Sequence, residues 1–341
     1  MQSFLAADGE RTKDGKPDLT YQRQMESELK ISYRSAVGEI IWAMTTCRPD
    51  IAHAAVKCSQ FSSCPHKIHY HGVRHLLKYL NQTKTDGIYF WRATKRKDLP
   101  DKPRPTIVSN MNDLMADKRR EFDPMELNAL ADSDWAHCPK TRRSYTGVLV
   151  RLAGGTISWK TKLQTVVALS SAEAELMAAT DAGKMILYIR SILWDLGIPQ
   201  MAATVIGEDN DACTAIGNSQ KTTPRTRHMD IRYRALSDWI ERDLMVLERV
   251  DTAVNTSDHL TKALGRILFH RHKDYMLGHV PPQYCQAYSD LFHPSQIADT
   301  TTTRETLNNA YEKPHNKKDV GDRVIKSLIA KWDLLCHLVE Q

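Results

Sequence analysis

Apolar residues in the first quarter of the chain recur at three- and four-residue steps. Tyr33, Val37, Ile40, Ile41 and Met44 form one stripe, and Ile51, Ala54, Ala55, Cys58 and Phe61 a second. That spacing predicts amphipathic helices. Arg48-Pro49-Asp50 separates them, because proline suits a helix start and not an interior. Pro65 closes the second helix, Val73, Leu76, Leu77 and Leu80 mark a third, and Gly87 leads into a predicted short strand over 88–91. Residues 1–30 show little periodicity and are rich in Gly, Lys and Asp. They are expected to be a poorly ordered lead-in with one helical turn near 21–29.

The pattern changes further on. Residues 92–126 are densely charged, with three prolines in their first half and little apolar periodicity, as in a linker. Strands are then predicted at 127–135, 145–152 and 156–160, the last two joined as a hairpin by Ala153-Gly154-Gly155. A long helix over 171–196 is stopped by Gly197 and Pro199. A strand at 203–207, helices at 211–218 and 229–242, a strand at 245–250 and a last helix from Thr256 complete the series. The order β-β-β-α-β-α-α-β-α predicts an α/β mixed sheet with helices packed on it. The boundaries are therefore lead-in 1–30, helical piece 31–91, linker 92–126, α/β domain 127–280 and tail 281–341. The tail closes with an amphipathic helix predicted over 322–339, striped by Val324, Ile325, Leu328, Ile329, Trp332, Leu335 and Leu338.

Composition narrows the class. Lys and Arg outnumber Asp and Glu by 47 to 41, a net charge of +6. That permits a polyanionic partner without demanding one. No apolar run approaches the roughly 20 residues of a membrane span, and the first residues lack a secretory h-region. Seven widely spaced cysteines without a CxxC fit reduced thiols in a soluble intracellular protein. His66, His69, His71 and His75 in HKIHYHGVRH, with Cys58 and Cys64 upstream, leave open a zinc site, a phosphate-binding surface or a solvated helix start.

Four carboxylates stand in suggestive settings. Asp132 and Asp134 project to one face of a strand, where Asp is disfavoured. Glu175 shares a helical stripe with Ala172, Ala179, Ala182 and Ile186. Those small neighbours should press on the sheet, so the carboxylate is buried at a cost unless paired or bound to metal. Glu173, about 200° round the helix, is expected to face solvent. Asp209 follows an apolar strand, at the end where ligand groups gather in α/β sheets, though Asp209 or Asp211 can equally cap the next helix. Asp258 lies just inside a helix start, where a cap or dipole role is the alternative. Brought together, Asp132, Glu175, Asp209 and Asp258 would hold two divalent ions. Such a pair activates water and steadies the leaving oxygen at a phosphodiester. Hard oxygen ligands suit Mg2+ or Mn2+.

The segments ADSDWAHCPKTRRSYTG, GGTISWKTKLQTVVALSSAEAELMAA, EDNDACTAIGN, TRHMDIRYRALSDWI and NTSDHLTKAL run in one order across 127–265. In that order they resemble the ribonuclease H domain of copia-type LTR retrotransposon polyproteins. The piece from YRSAVGEIIWAM to TKTDGIYF resembles the thumb and connection end of the family's reverse transcriptase. The resemblance implies a ribonuclease-H-like mixed five-stranded sheet with flanking helices, preceded by a small helical reverse-transcriptase remnant. It implies two-metal endonucleolytic cleavage of the RNA strand of an RNA–DNA hybrid, with Mg2+ or Mn2+. The family's four acids fall on Asp132, Glu175, Asp209 and Asp258. Other parts of a retrotransposon polyprotein are implied partners, in a cytoplasmic, particle-borne or nuclear setting.

Ala172, Leu176 and Ser257 depart from residues common in the family, and none removes a carboxylate. No polymerase palm precedes residue 33 and no Tyr-Val-Asp-Asp box occurs, so polymerase activity is not expected and the chain looks like the 3′ end of a reading frame. Ser144, Ser170, Ser171 and Asn210 are candidate contacts to the hybrid, each equally a turn or cap residue. Arg227 is a candidate nucleic-acid contact, and His228 and His259 are candidates for a phosphate contact or general acid. The alternative is a catalytically silent retrotransposon remnant that only binds nucleic acid. An integrase or transposase shares the fold, but a zinc-binding HHCC leader is missing.

Overall fold

The computed structural model describes residues 2–90, 126–218 and 230–279. The expected linker at 92–126, apart from Glu126, and the tail with its predicted helix at 322–339 lie outside the described residues.

The lead-in departs from expectation. Helix α1 covers Gln2–Ala6 and α2 covers Leu19–Leu29. Asp18 caps α2 by accepting the N–H groups of Thr20 and Tyr21. Leu5 and Met25 are buried with Tyr33, Ile40 and Tyr70. A polar segment without a clear stripe is thus ordered by one cap and a few tertiary contacts.

Helix α3 (Tyr33–Thr46), a 3-10 turn at Pro49–Ile51, α4 (Ala52–Ser59) and α5 (Lys67–Gln82) follow the predicted stripes. The histidine cluster serves a cap. His66 Nδ1 accepts the Ile68 N–H, and His69 Nδ1 accepts the His66 N–H. The strand expected at 88–91 is not formed over 88–90. That stretch runs outside the sheet, with Tyr89 donating its N–H to the Leu277 carbonyl at 2.8 Å.

The sheet is the mixed five-stranded one expected. Its strands are β1 (Asn128–Asp134), β2 (Tyr145–Leu152), β3 (Gly155–Leu163), β4 (Thr204–Glu208) and β5 (Met245–Arg249), in spatial order β3-β2-β1-β4-β5. The pairs β1/β2 and β2/β3 are antiparallel, while β1/β4 and β4/β5 are parallel. Helix α6 (Ser171–Asp195) links β3 to β4, and α7 (Asp211–Asn218) and α8 (Asp230–Glu241) link β4 to β5. Ala178, Ala179, Ala182 and Ile186 of α6 pack on Ala129, Ala131, Val148 and Val150. Small residues on both sides let the helix lie close to the sheet. The fold is ribonuclease-H-like, with the helical piece at its N-terminal end.

After β5, the last helix expected from Thr256 is the short α9 (Asp258–Thr261), and a further helix, α10 (Arg266–Met276), follows it. The helical piece packs directly on this end of the sheet. Ala52 shares a core with Leu130, Leu149, Leu260 and Met276. Trp159 Nε1 donates to the Met44 carbonyl at 3.0 Å, and Lys273 Nζ lies 2.7 Å from Asp86 Oδ2. No helix among the described residues is long and apolar enough to cross a membrane.

Candidate active site

Four elements bring the acids to one end of the sheet. Asp132 sits on β1 opposite Gly147 of β2. Asp209 directly follows β4, Glu175 lies in the second turn of α6, and Asp258 opens α9. Gly147 is what lets α9 approach. A Cβ there would meet Thr261 Cγ2 at 2.7 Å, the Ser257 carbonyl at 2.8 Å and Leu260 Cβ at 2.9 Å. Asn255 anchors the preceding loop, donating from Nδ2 to the Ala131 carbonyl on β1 at 3.0 Å.

Gln164 fixes the Glu175 side. Its buried amide reaches Ser133 on β1, Thr146 on β2 and the Ala174 carbonyl on α6, at 3.3, 3.0 and 3.0 Å. The helix start is closed by a reciprocal cap. Glu173 N–H donates to Ser170 Oγ, and the Leu169 N–H to Glu173 Oε2. Glu173, expected to face solvent, is therefore buried as part of the cap.

One oxygen each of Asp132, Glu175 and Asp209 lie within 4.8 Å of one another. Asp132, Glu175 and Asp258 are buried, and Asp209 is half-buried. Asp258 shares a side-chain hydrogen bond with Asp132, and its Oδ1 is 2.8 Å from Lys262 Nζ. The Thr261 hydroxyl donates to Asp132 Oδ2. Asp134, on the same strand face as Asp132, lies 2.8 Å from His137 Nδ1. Glu175 Oε2 is buried with no hydrogen-bond partner among the described residues, and so is one oxygen of Glu208, a fully buried carboxylate at the end of β4.

This crowding of negative charge shows in the proton affinities. Burial, then the charges of Glu208, Asp132 and Asp209, hold Glu175 well above the usual carboxylate range. Burial and the Asp132 charge push Asp258 up to about 8. Burial raises Asp132 against the pull of Lys262 and Thr261. Burial works against the Lys262 ammonium, yet Asp132 and Asp258 more than offset it and hold Lys262 above the ordinary lysine value. A set of hard oxygen donors with an orphaned carboxylate oxygen fits a divalent cation such as Mg2+ or Mn2+.

Sequence reasoning passed over Lys262, Thr261, Gln164 and Glu208. Lys262 had a readable signal, four residues beyond Asp258 on one helix face. Of the candidate hybrid contacts, Ser144 is fully buried and its Oγ accepts the Ala136 N–H at 3.0 Å, so it staples the β1–β2 loop. Ser170 and Asn210 are caps, with Asn210 Oδ1 accepting the Cys213 N–H at 3.1 Å. Because Asn210 caps α7, Asp209 is left to the acidic cluster. Ser171 is exposed at the start of α6. His259 is buried, with Nε2 2.7 Å from the Asp50 carbonyl, so it ties α9 to the helical piece. Arg227 and His228 lie outside the described residues.

No family model matches the chain. Over 240 residues, 70% of its length, it is 33% identical to the retrovirus-related Pol polyprotein from transposon TNT 1-94 of Nicotiana tabacum. The chain belongs to the Pol polyproteins of copia-type transposons. Within that family it is also 26% identical over 253 residues, 74% of its length, to the polyprotein from transposon RE2 of Arabidopsis thaliana. The chain spans only 16% and 15% of these two polyproteins. Among solved structures, LC11-RNase H1, isolated from compost, is similar at 13% identity and a TM-score of 0.32. That match covers 40% of this chain and 92% of the other.

Proposed function

We propose that this chain is an endonuclease that cuts the RNA strand of RNA–DNA hybrids, with two divalent ions, Mg2+ or Mn2+, held by Asp132, Glu175, Asp209 and Asp258. The observation that supports this most is the convergence of Asp132, Glu175 and Asp209, with Asp258 hydrogen-bonded to Asp132 and with Glu175 Oε2 buried and unpartnered among the described residues. A buried carboxylate without a partner costs several kcal/mol in an apolar setting, and a bound cation removes that cost. Bound there, the ions would supply Lewis acidity and neutralise charge on a phosphodiester.

The chain's own residues supply the frame. Gln164 fixes α6 against β1 and β2, and so sets Glu175 relative to Asp132. Asn255 and Gly147 set Asp258. The β1–β2 loop beside Asp134 carries Lys140, Arg142 and half-buried Arg143, which suit a phosphate backbone. An RNA–DNA hybrid would be read by shape and by its 2′-hydroxyls.

The test is incubation of the purified full chain with a labelled RNA–DNA hybrid and Mg2+. Metal-dependent cleavage of the RNA strand, lost in Asp132→Asn and in Glu175→Gln, supports the enzyme. Hybrid binding without cleavage in any divalent metal sinks it in favour of the silent remnant.

A further inference from the structure

The four carboxylates are not equivalent. Asp132, Glu175 and Asp209 form a trio, and Glu175 Oε2 within it has no hydrogen-bond partner among the described residues although the residue is only 6% exposed. Asp258 stands outside the trio, with the Lys262 ammonium at 2.8 Å. On that same side the Thr261 hydroxyl donates to Asp132 Oδ2. One half of the site therefore already carries a positive charge and a donor, and the other half has an orphaned oxygen.

A lysine ammonium and a divalent ion compete for the same carboxylate oxygens. Both cannot sit on Asp258, because two positive charges at a few ångströms repel strongly where water is scarce. We infer that Lys262 is the resident cation of the Asp258 half of the site, so that without nucleic acid the chain takes one divalent ion at Asp132, Glu175 and Asp209 and admits a second only when Lys262 leaves. The inference rests on the reading of these carboxylates as a cation site. The exit is open, since the Lys262 side chain is 35% exposed on a flexible four-carbon stem. A phosphate oxygen of a bound strand would offer the ammonium a new partner. Loading of the second ion is then coupled to arrival of the substrate.

The experiment is a Mn2+ titration of the full chain without nucleic acid, followed by calorimetry and by the paramagnetic signal of free Mn2+. The wild type is expected to take up one ion tightly, Lys262→Met two, and Lys262→Arg one. Lys262→Gln, with a polar head of similar reach, replaces the Met variant if that does not fold. Equal stoichiometry and affinity in the wild type and the uncharged variant overturn the inference, and so does a wild type that binds two ions tightly. Failure of all these proteins to bind Mn2+ instead overturns the reading of the carboxylates as a cation site, which a loss confined to this step would leave standing.

Discussion

Two buried acidic groups, near each other in the fold, are treated in opposite ways. Asp50 in the helical piece is 3% exposed, and both its oxygens are satisfied. Arg48 donates to Oδ1 from Nε at 2.8 Å and to Oδ2 at 2.7 Å, and the Tyr79 hydroxyl donates to Oδ2 at 2.7 Å. Burial alone would raise the Asp50 carboxyl, but these partners bring it below the usual value. Asp132, Glu175 and Asp258 are buried to a similar degree, crowd one another and share Lys262, and all three are raised. The first arrangement is what a charge needs in order to hold a fold together. The second leaves free energy that a bound proton or an added cation recovers. Burial of charge therefore does not distinguish a structural site from a functional one; the completeness of its partners does.

The sharpest way to break this comparison is to remove one carboxylate from each side. Asp132→Asn is expected to lower hybrid cleavage by about 10⁴-fold or more, which is about 5 kcal/mol of transition-state stabilisation. Its melting temperature should stay the same or rise in the absence of metal. Arg48→Met should do the reverse, because it leaves Asp50 buried and unpaired. A loss of about 3–5 kcal/mol in folding stability is expected from denaturant unfolding. Cleavage by the remaining folded protein, assayed well below its transition, should change only a few-fold. If Arg48→Met abolishes cleavage in folded protein, the two clusters do not divide into structure and function as argued.

A smaller effect tests the approach of α9. Gly147→Ala places a methyl against the Ser257 carbonyl and the Thr261 methyl, at distances that force α9 to shift. An overpacking cost of about 1–3 kcal/mol is expected. Divalent-ion affinity should fall as well, since Asp258, Thr261 and Lys262 move with the helix. Unchanged affinity in the Ala variant, measured by Mn2+ titration, would show that α9 does not set the site.

Much of this arrangement was legible in the sequence, for definite reasons. The β2–β3 hairpin was marked by Ala153-Gly154-Gly155, where Ala153 and Gly154 take up positive φ of 51° and 75°. Asp132 stood out because a strand interior disfavours Asp, and Glu175 because it interrupts a stripe of alanines. What was not legible depends on contacts between distant segments. Glu173 and Glu175 differ only by which way α6 faces, and Glu173 turned out to close a cap with Ser170. Glu208 ends a strand buried throughout, where no alternation flags one residue. The Leu19–Leu29 helix lacks a strong stripe and is ordered by its Asp18 cap and by Met25 in the core. Helix α10 was hidden because RILFHRHKDYM reads as basic and mixed, and His272, Lys273 and Met276 are buried only through tertiary packing.

The smallest expected effect concerns pH. Asp258 is raised from 3.8 to about 8 by burial and by Asp132. A folded-state value above the unfolded one means that the native chain binds the extra proton. Stability from this group is therefore full below about pH 4 and is lost as pH rises toward 8. Buried His53 and His272 pull the other way. Burial lowers them to about 3 and about 4, so they lose stability as pH falls below the ordinary histidine value. The profile of the wild type alone mixes these opposing trends, and the difference between wild type and Asp258→Asn isolates the first. In a chelator the stability difference between variant and wild type should grow in the variant's favour from pH 4 to pH 8, as Asn imitates the protonated acid. Saturating Mg2+ at Asp132, Glu175 and Asp209 should shrink that gap at pH 8, because its charge offsets that of Asp132 and weakens the hold of Asp258 on its proton. A gap that is the same at both pH values, or one that metal leaves untouched, would place Asp258 with Asp50 among the structural charges.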